Sequence, residues 1–232
     1  MDSPAPNGLP RYQAYAPPLD TGLEIVFQDE HLLVINKPAG LLSVPGRGAD
    51  LADCALHRVR RRFPNALLVH RLDEATSGLL MFALHPAAQK AASWAFELRQ
   101  VKKTYLALVH GLLCESEGII DAPIAKDWPR RPLHKVDQSQ GKRSITYWKL
   151  LSKDEHSAQS LCRLEPQTGR THQLRVHMQH VGHPIIGDKL YGMEEDRANR
   201  LMLHASELNM PHPMQPDQSL MCCSQSPDFQ AF

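Results

Sequence analysis

The amino-acid sequence predicts an α+β fold in which short strands outnumber helices. Apolar, branched runs bounded by turn-forming residues favour strands at residues 23–27, 32–35, 79–84, 102–111, 145–151 and 161–164. Helical patterns are fewer, and cover roughly residues 51–63, 86–100 and 171–182. The sequence shows no internal repeat, and no linker divides these elements into separate domains. We therefore expect one domain over residues 21–232, which is long enough to bury a substantial core.

The composition is that of an ordinary globular protein and gives no global reason to expect a nucleic-acid partner. Of 232 residues, 42% are hydrophobic and 22% are charged, and the net charge is +1. Affinity for nucleic acid must therefore come from local basic patches. The five cysteines are scattered and form no CxxC pair. This argues against a disulfide framework or a cysteine zinc site and fits a reducing cytoplasm.

The first 20 residues differ in composition from the rest of the chain. Five prolines within residues 1–18 and the lack of an apolar central region predict a disordered leader and not a signal peptide. The sequence has no apolar run near the ~20 residues that span a bilayer. We expect a cytoplasmic protein with no membrane contact.

Local signals set the expected ends of the three helices. Asp50 could cap the first helix, and the four arginines at residues 58–62 suit either a solvated helix end or a phosphate-contacting patch. Pro86 fits the first turn of the second helix. Thr171 could cap the third helix, whose apolar face lies within residues 174–181.

Residues 69–80 combine a polar loop with the start of a buried strand. The loop opens with His70-Arg71-Leu72-Asp73, and Gly78 precedes the apolar run. Loops fixed to a sheet often carry catalytic groups. Asp73 could therefore be a catalytic carboxylate, or it could form a weak surface ion pair with Arg71 at an ordinary turn.

Residues 126–143 form the most basic segment. Six basic residues against two acidic ones give this segment a net charge of +4, and Trp128 lies among them. Its prolines and glycine predict a loop or irregular ribbon. Basic residues beside an aromatic ring suit contacts with RNA backbone and bases, although a solvated loop explains the pattern equally well.

The sequence lacks the residue patterns of a metal site, a serine nucleophile and a nucleotide-binding loop. His172, His177, His180 and His183 have neither the fixed offsets nor the carboxylate or thiolate partner of a metal site. The sequence contains no GxSxG elbow, no GxGxxG fingerprint and no P-loop. We therefore expect no metal and no organic cofactor.

The run His70-Arg71-Leu72-Asp73-x-x-Thr76-Ser77-Gly78-Leu79 resembles the signature of the RluA-type pseudouridine synthases. Residues 37–43, 103–111 and 168–192 resemble three further motifs of that family, in the same order. The resemblance extends from about residue 23 to 207. It implies the pseudouridine synthase fold, an α+β domain with a long mixed, mainly antiparallel sheet and a central active-site cleft flanked by helices and loops.

The resemblance also implies an isomerase that detaches uracil from C1′ of its ribose, rotates it and rejoins it through C5. Asp73 is then the catalytic carboxylate, either as nucleophile or as charge stabiliser. Tyr105 is the candidate general acid/base and stacks on the uracil. Arg175 is the basic partner that favours an ionised carboxylate. Arg71 fills the gap left by the flipped base, and Leu174 packs on the base.

The same resemblance implies that five more residues contact RNA: His70, Trp128, Arg130, Arg131 and Arg170. The chain has no room for an N-terminal S4 RNA-binding domain. Together with residues 43–46 and 127–132, this resembles a family member that acts on a 23S rRNA loop and on the tRNA anticodon stem-loop. RNA is therefore the expected partner of a monomer with no obligatory protein partner.

A non-catalytic RNA-binding or chaperone protein on the same fold is the alternative function. Such a protein would not need Asp73, Tyr105 and Arg175 together. One departure from the family pattern lies in residues 220–229, where Cys223 stands roughly in place of the aromatic residue expected in the last strand. The resemblance therefore does not extend to the packing of that strand.

Overall fold

The computed structural model describes residues 15–194, 196, 198–215 and 217–229. The α-helices within them are α1 Ala55–Arg60, α2 Pro86–Glu97 and α3 Gln173–His180, and 3-10 turns cover Ala49–Leu51 and Pro227–Phe229. The strands are β1 Glu24–Gln28, β2 Leu32–Lys37, β3 Leu67–Leu68, β4 Ser77–Ala83, β5 Lys102–His110, β6 Glu117–Asp121, β7 Ile124–Lys126, β8 His134–Val136, β9 Ile145–Asp154, β10 Gln159–Pro166, β11 Leu203–Pro211 and β12 Ser219–Cys223.

Ten strands form one sheet, and β7 and β8 form a separate hairpin. The order along the sheet is β1-β2-β4-β11-β5-β10-β9-β6, with β3 paired to β4 and β12 to β11. β4 and β11 run parallel. The other strand pairs within the described residues are antiparallel. The expected α+β fold with a mixed, mainly antiparallel sheet is confirmed.

The middle of the sheet separates two apolar clusters. One cluster contains Leu80 and Phe82 of β4 together with residues of α1, and the other contains Ala107 of β5 and Leu174 of α3. Tyr105 packs against both clusters. The central strands thus carry this side chain where these two clusters meet.

Gly78 allows β4 to approach β11 closely. Its φ of 110° lies in the region that favours glycine, and a Cβ at this position would overlap the backbone of Ala205. Ala205 pairs with Gly78 on one side and with Tyr105 on the other. The start of β4, and therefore the loop before it, is fixed two strands away from Tyr105.

The first helix is shorter than the sequence predicts. Residues 49–51 form a 3-10 turn, and α1 starts at Ala55 because the sulfur of Cys54 caps it by accepting the His57 N–H at 3.4 Å. The expected cap at Asp50 is wrong. Arg58 is buried and binds both carboxylate oxygens of Asp53, at 2.9 and 2.6 Å, so it belongs to neither a solvated end nor a phosphate-contacting patch.

The third helix starts at Gln173, and the expected cap at Thr171 is wrong. Oε1 of Gln173 accepts hydrogen bonds from the Thr168 hydroxyl (2.7 Å) and the Arg170 N–H (3.1 Å), which closes the preceding turn. His172 takes the N-cap position with φ 56° and ψ 18°, a left-handed conformation. The side chain of His172 makes no capping hydrogen bond to the helix.

The last strand packs without an aromatic residue. β12 pairs antiparallel with β11, and Leu220 and Cys222 are buried while Cys223 is exposed. An apolar ring at residue 223 would therefore face outward here. Phe229, in the following 3-10 turn, is buried and packs against Leu108, Leu161 and Ile186.

Residues 15–20 pack on the domain, so the folded unit begins before the expected boundary at residue 21. The Tyr15 hydroxyl donates to the carbonyl of Asp53 (2.9 Å) and accepts the N–H of Leu42 (3.1 Å). The carbonyl of Pro18 accepts from Arg58 at 2.6 Å. The rest of the expected disordered leader, residues 1–14, lies outside the described residues.

The basic segment is more regular than the sequence predicts. β7 and β8 pair antiparallel, and residues 127–133 form the turn that joins them. Regular pairing is possible because the prolines lie in the turn and not in the strands. None of the helices in the described part of the chain has the length and apolar character to cross a membrane.

Candidate active site

Asp73 lies in the loop between β3 and β4, and the loop that follows β2 holds the backbone on both sides of it. The Ser43 hydroxyl donates to the carbonyl of Leu72 (2.7 Å) and accepts the N–H of the same residue (3.1 Å). The carbonyl of Glu74 accepts the N–H of Gly40 at 2.9 Å. The backbone at Asp73 is thus fixed, while its side chain remains 23% exposed.

Lys37, the last residue of β2, has a fully buried side chain beneath this loop. Its ammonium donates to the carbonyls of Leu41 (2.7 Å), Pro38 (2.9 Å) and Glu74 (3.0 Å), which accounts for all three of its protons. Burial lowers the pKa of Lys37 to about 7, although the carboxylates of Asp73 and Glu74 oppose this shift. Lys37 therefore fixes the loop through backbone carbonyls.

Arg175 of α3 approaches the carboxylate of Asp73 directly. Its Nη1 lies 3.7 Å from Oδ2 of Asp73, while its Nε and Nη2 donate to the carboxylate of Asp188 at 2.7 and 2.6 Å. Burial disfavours the cation, but the hydrogen bonds with Asp188 hold the pKa of Arg175 above its usual value. Asp188, whose side chain is fully buried, is thus the main partner of Arg175, and Asp73 is the looser one.

Tyr105 of β5 is half-buried and faces the same space. Burial raises the pKa of its hydroxyl well above the usual value, and the charge of Asp73 adds to this effect. The hydroxyl therefore stays protonated at neutral pH. Tyr105 is thus equipped to donate a proton or a hydrogen bond.

His172 and Tyr191 complete the surroundings of Asp73. Nε2 of His172 lies 4.0 Å from Oδ2 of Asp73, and its Nδ1 lies 2.7 Å from the Tyr191 hydroxyl oxygen. That oxygen also accepts the N–H of His134 in β8 at 2.8 Å. The Arg175 guanidinium lies over the Tyr191 ring at 5.1 Å, so Tyr191 contacts the cation and the histidine together.

Asp73, Tyr105, His172 and Arg175 line one cleft of about 110 Å³. Its lining includes six residues that the sequence predicts for the site: Arg71, Asp73, Tyr105, Arg170, Leu174 and Arg175. Leu174 supplies a buried apolar wall, whereas the arginines at 71 and 170 are exposed. The cleft thus combines a carboxylate, a phenol, an apolar surface and accessible cations.

The structure does not bring His70 into this cleft. Its Nε2 accepts the N–H of Met81 at 3.1 Å, and its ring stacks on Phe96 of α2 with 4.7 Å between centroids. Burial, aided by the charge of Lys103, lowers the pKa of His70 to about 3. His70 thus joins the loop to β4 and α2, because its neutral ring accepts a backbone N–H there, and its expected contact with RNA stays a prediction.

The expected RNA-binding residues of the basic segment lie in the turn between β7 and β8. Trp128 is 59% exposed, and the guanidinium of Arg131 lies 4.6 Å from its ring centroid. Arg130 instead pairs with the buried carboxylate of Asp127, at 2.6 Å. Arg131 and Trp128 thus offer a surface for stacking, while Arg130 mainly stabilises the turn.

Comparison with known proteins assigns the chain to a family. The family described as RNA pseudouridylate synthase matches residues 31–180. The chain belongs to this family. Its enzymes are isomerases that convert uridine in RNA to pseudouridine, and this is the activity that membership assigns to the chain.

Curated relatives and solved structures agree with the family. The dual-specificity RNA pseudouridine synthase RluA of Vibrio parahaemolyticus is 47% identical over 204 residues, covering 86% of this chain and 82% of that protein. The Escherichia coli K12 protein of the same name is 46% identical over 203 residues, covering 86% and 91%. The structure of human RNA pseudouridylate synthase domain containing 1 aligns with a TM-score of 0.78 and 35% identity, covering 93% and 88%.

Four residues of the candidate site received no role from the sequence alone: Lys37, His172, Asp188 and Tyr191. Each lies within a motif that carries the resemblance, but spacing along the chain cannot show which side chains converge. Lys37 precedes a proline, and this pattern by itself predicts only a turn. Asp188 and Tyr191 are 13 and 16 residues from Arg175, beyond the reach of any local pattern.

The four histidines considered for a metal site have separate surroundings. His177 is buried between the Thr146 hydroxyl and the Ala122 carbonyl, both at 2.9 Å, and His183 contacts the carbonyl of His110 at 2.9 Å. Among the residues that the structure describes, no group of three or more histidine, cysteine, aspartate or glutamate side chains could hold a metal ion.

Proposed function

We propose that Asp73 is the reacting carboxylate of this pseudouridine synthase, that Arg175 and Tyr105 assist it, and that its substrates are a 23S rRNA loop and the tRNA anticodon stem-loop. We also propose that the enzyme acts in the cytoplasm as a monomer. The observation that carries the proposal is the position of the Asp73 carboxylate, part-exposed in a cleft and 3.7 Å from a buried arginine.

The charge balance around Asp73 suits a nucleophile or a charge stabiliser. Asp188 compensates the Arg175 cation through two short hydrogen bonds, so the three groups together keep one net negative charge. The looser contact with Nη1 orients the Asp73 carboxylate without saturating its oxygens. Asp73 can therefore attack an electrophilic carbon or stabilise a glycosyl cation.

Tyr105 has the position and protonation state for the second half of the reaction. After C1′ and N1 of the uridine separate, the uracil must turn within the cleft before C5 bonds to C1′. The ring of Tyr105 and the apolar side chain of Leu174 both line the cleft and offer surfaces for a planar base. The protonated hydroxyl can donate its proton to N1 of the detached uracil, and the phenolate that remains can take the proton that C5 loses after it bonds to C1′.

RNA recognition is assigned to the exposed cations at the cleft and to the β7–β8 turn. Arg71 and Arg170 line the cleft, so they can reach the phosphates or the gap beside a flipped nucleotide. Trp128 with Arg131 presents an aromatic and a guanidinium plane on which unpaired bases can stack. Both elements favour a structured RNA with an accessible loop.

The relatives support the part of this proposal that gives the enzyme two kinds of RNA substrate. The two proteins named dual-specificity RNA pseudouridine synthase RluA that are compared above are 46–47% identical to this chain, and the alignments cover 82–91% of their length. The cytoplasmic location is supported by five free cysteines, two of them exposed.

The experiment measures pseudouridine formation in single turnovers on two transcripts, a tRNA anticodon stem-loop and a 23S rRNA stem-loop. The wild-type chain should convert both without added metal. Asp73→Asn removes the charge at nearly constant volume, and should lower the rate about 10⁴-fold while RNA affinity is retained. Asp50→Asn, in an exposed turn, is the matched control and should leave the rate unchanged.

Three other outcomes would decide between the alternatives. Conversion of one transcript alone would refute dual specificity but keep the role of Asp73. Unchanged turnover in Asp73→Asn would refute that role. Binding of both RNAs by the wild-type chain, with conversion of neither, would favour the alternative function of an RNA-binding or chaperone protein.

A further inference from the structure

His172 lines the cleft, but the roles proposed for Asp73, Tyr105 and Arg175 do not involve it. Its side chain is 12% exposed and lines the cleft beside Asp73. The rings of His134 and Tyr191 contact it edge to face, with centroids at 5.3 and 5.5 Å. These contacts hold the imidazole in one orientation, with one nitrogen toward Tyr191 and the other toward Asp73.

The hydrogen bonds around Tyr191 determine which nitrogen of His172 carries the proton. The backbone N–H of His134 can only donate, so the Tyr191 oxygen is an acceptor in that bond. Burial raises the pKa of Tyr191 to about 12, and its hydroxyl therefore keeps its own proton. Nδ1 of His172, at 2.7 Å, is the acceptor placed for that proton.

The ring of His172 is neutral at physiological pH. Burial lowers its pKa to about 4, and the nearby Arg175 cation adds to this, although Asp73 opposes it. A neutral imidazole has one N–H, and Nδ1 accepts a hydrogen bond from the Tyr191 hydroxyl. The tautomer that gives the Tyr191 hydroxyl proton an acceptor therefore has the ring proton on Nε2, the nitrogen that faces Asp73.

From this geometry we propose that Nε2 of His172 donates a hydrogen bond to an oxygen of the target nucleotide beside Asp73, and that Tyr191 is a positioning residue that fixes the required tautomer. The separation of 4.0 Å between Nε2 and Oδ2 of Asp73 is too long for a hydrogen bond. A uridine oxygen bound beside the carboxylate would supply the missing acceptor. The inference rests on the proposed function, because the nucleotide must react at Asp73.

Two substitutions of His172 test the roles of its two ring nitrogens separately. Asparagine places an amide near Nδ1, tolerates the left-handed backbone and keeps a partner for Tyr191, but it does not reach the position of Nε2. Glutamine is longer and keeps a donor near Nε2, but it loses the contact with Tyr191. His172→Asn should fold normally and turn over about 100-fold more slowly, whereas His172→Gln should recover part of that rate.

The readouts are the single-turnover rate, the Kd for each RNA and the ring ¹⁵N NMR spectrum of His172. The spectrum of the wild-type chain at pH 7 should show a proton on Nε2 alone. Tyr191→Phe should raise the pKa of His172, since Nδ1 loses the hydroxyl proton that opposes its protonation. A purely packing role of Tyr191 would leave this titration unchanged.

Two results would overturn the inference. One is a His172→Asn rate within twofold of the wild-type rate, and the other is a wild-type ring that carries its proton on Nδ1. These results differ from failure of the proposed function, which would appear as a wild-type chain that converts neither transcript. The NMR measurement does not depend on turnover and decides the tautomer in every case.

Discussion

Two buried cations act on Asp73 in different ways. Lys37, at the end of β2, binds three backbone carbonyls and fixes the loop that carries Asp73. Arg175, on α3, binds the buried carboxylate of Asp188 and turns its remaining nitrogen toward the Asp73 side chain. One cation thus determines where the backbone lies, and the other determines how the carboxylate is oriented.

This difference follows from the chemistry of the two side chains. An ammonium has three protons on one atom, so it can gather three carbonyls around a single point. A guanidinium is planar and can bind one carboxylate with two nitrogens while a third nitrogen faces another group. Exchanging the two residues would therefore lose both functions, and removing each of them should have a distinct effect.

The largest effect is expected at Arg175. Arg175→Met leaves the carboxylate of Asp188 buried without its cation, which should destabilise the fold by about 3–5 kcal/mol. Chemical denaturation with circular dichroism would measure this loss. A loss below about 1 kcal/mol would contradict the assigned pairing of Arg175 with Asp188.

The double variant Arg175→Met/Asp188→Asn tests whether stability and activity separate. Asparagine removes the uncompensated charge and keeps an oxygen for the N–H groups of Leu190 and Tyr191, which the Asp188 carboxylate accepts at 2.9 and 3.1 Å. Most of the stability should return. Turnover should not return, because Asp73 still lacks the cation that orients it.

Lys37→Met should have the second largest effect. It leaves the carbonyls of Pro38, Leu41 and Glu74 without their donor in a buried place, at a cost of about 2 kcal/mol. The kcat on RNA should fall more than the affinity for RNA, because the cations at the cleft remain in place. An unchanged kcat in a folded variant would show that the loop does not depend on Lys37.

Because Lys37 titrates, the difference in stability between the wild-type chain and Lys37→Met should depend on pH. Its pKa of about 7 in the folded chain lies below the value of about 10.4 in an unfolded chain. Between these values the unfolded chain binds the proton and the folded chain releases it, so stability rises with pH. Relative to Lys37→Met, the wild-type chain should gain about 1 kcal/mol per pH unit between pH 7.5 and 9.5. Parallel stability curves for the two chains would contradict the lowered pKa.

The sequence predicts the elements of the fold well because their signals are local. The apolar run of β4, the proline at the start of α2 and the left-handed glycine after α3 each depend on a few neighbouring residues. The two wrong caps, at Asp50 and Thr171, have different causes. At the start of α1 the sulfur of Cys54 accepts the free N–H of His57, whereas α3 begins at a left-handed His172 whose side chain makes no capping hydrogen bond.

The candidate site depends on contacts that no local pattern contains. The resemblance identifies Asp73, Tyr105 and Arg175, but it pairs Arg175 with Asp73 and gives Asp188 no part. His70 belongs to the same motif as Asp73, yet its ring faces Phe96 and the Met81 N–H. A difference of three residues along a loop is enough to direct one side chain to the core and the other to the cleft.

The smallest effect is expected at Ser43, which fixes the same loop through one hydroxyl. Ser43→Ala leaves both backbone groups of Leu72 without their buried partner, and should cost about 1–2 kcal/mol. Hydrogen exchange at the Leu72 amide should accelerate accordingly. Ser157→Ala is the matched control, because its hydroxyl donates to Asp154 on the exposed surface and should change stability by less than about 0.5 kcal/mol. Equal exchange at Leu72 in wild type and Ser43→Ala would mean that Lys37 and Gly40 hold the loop without Ser43.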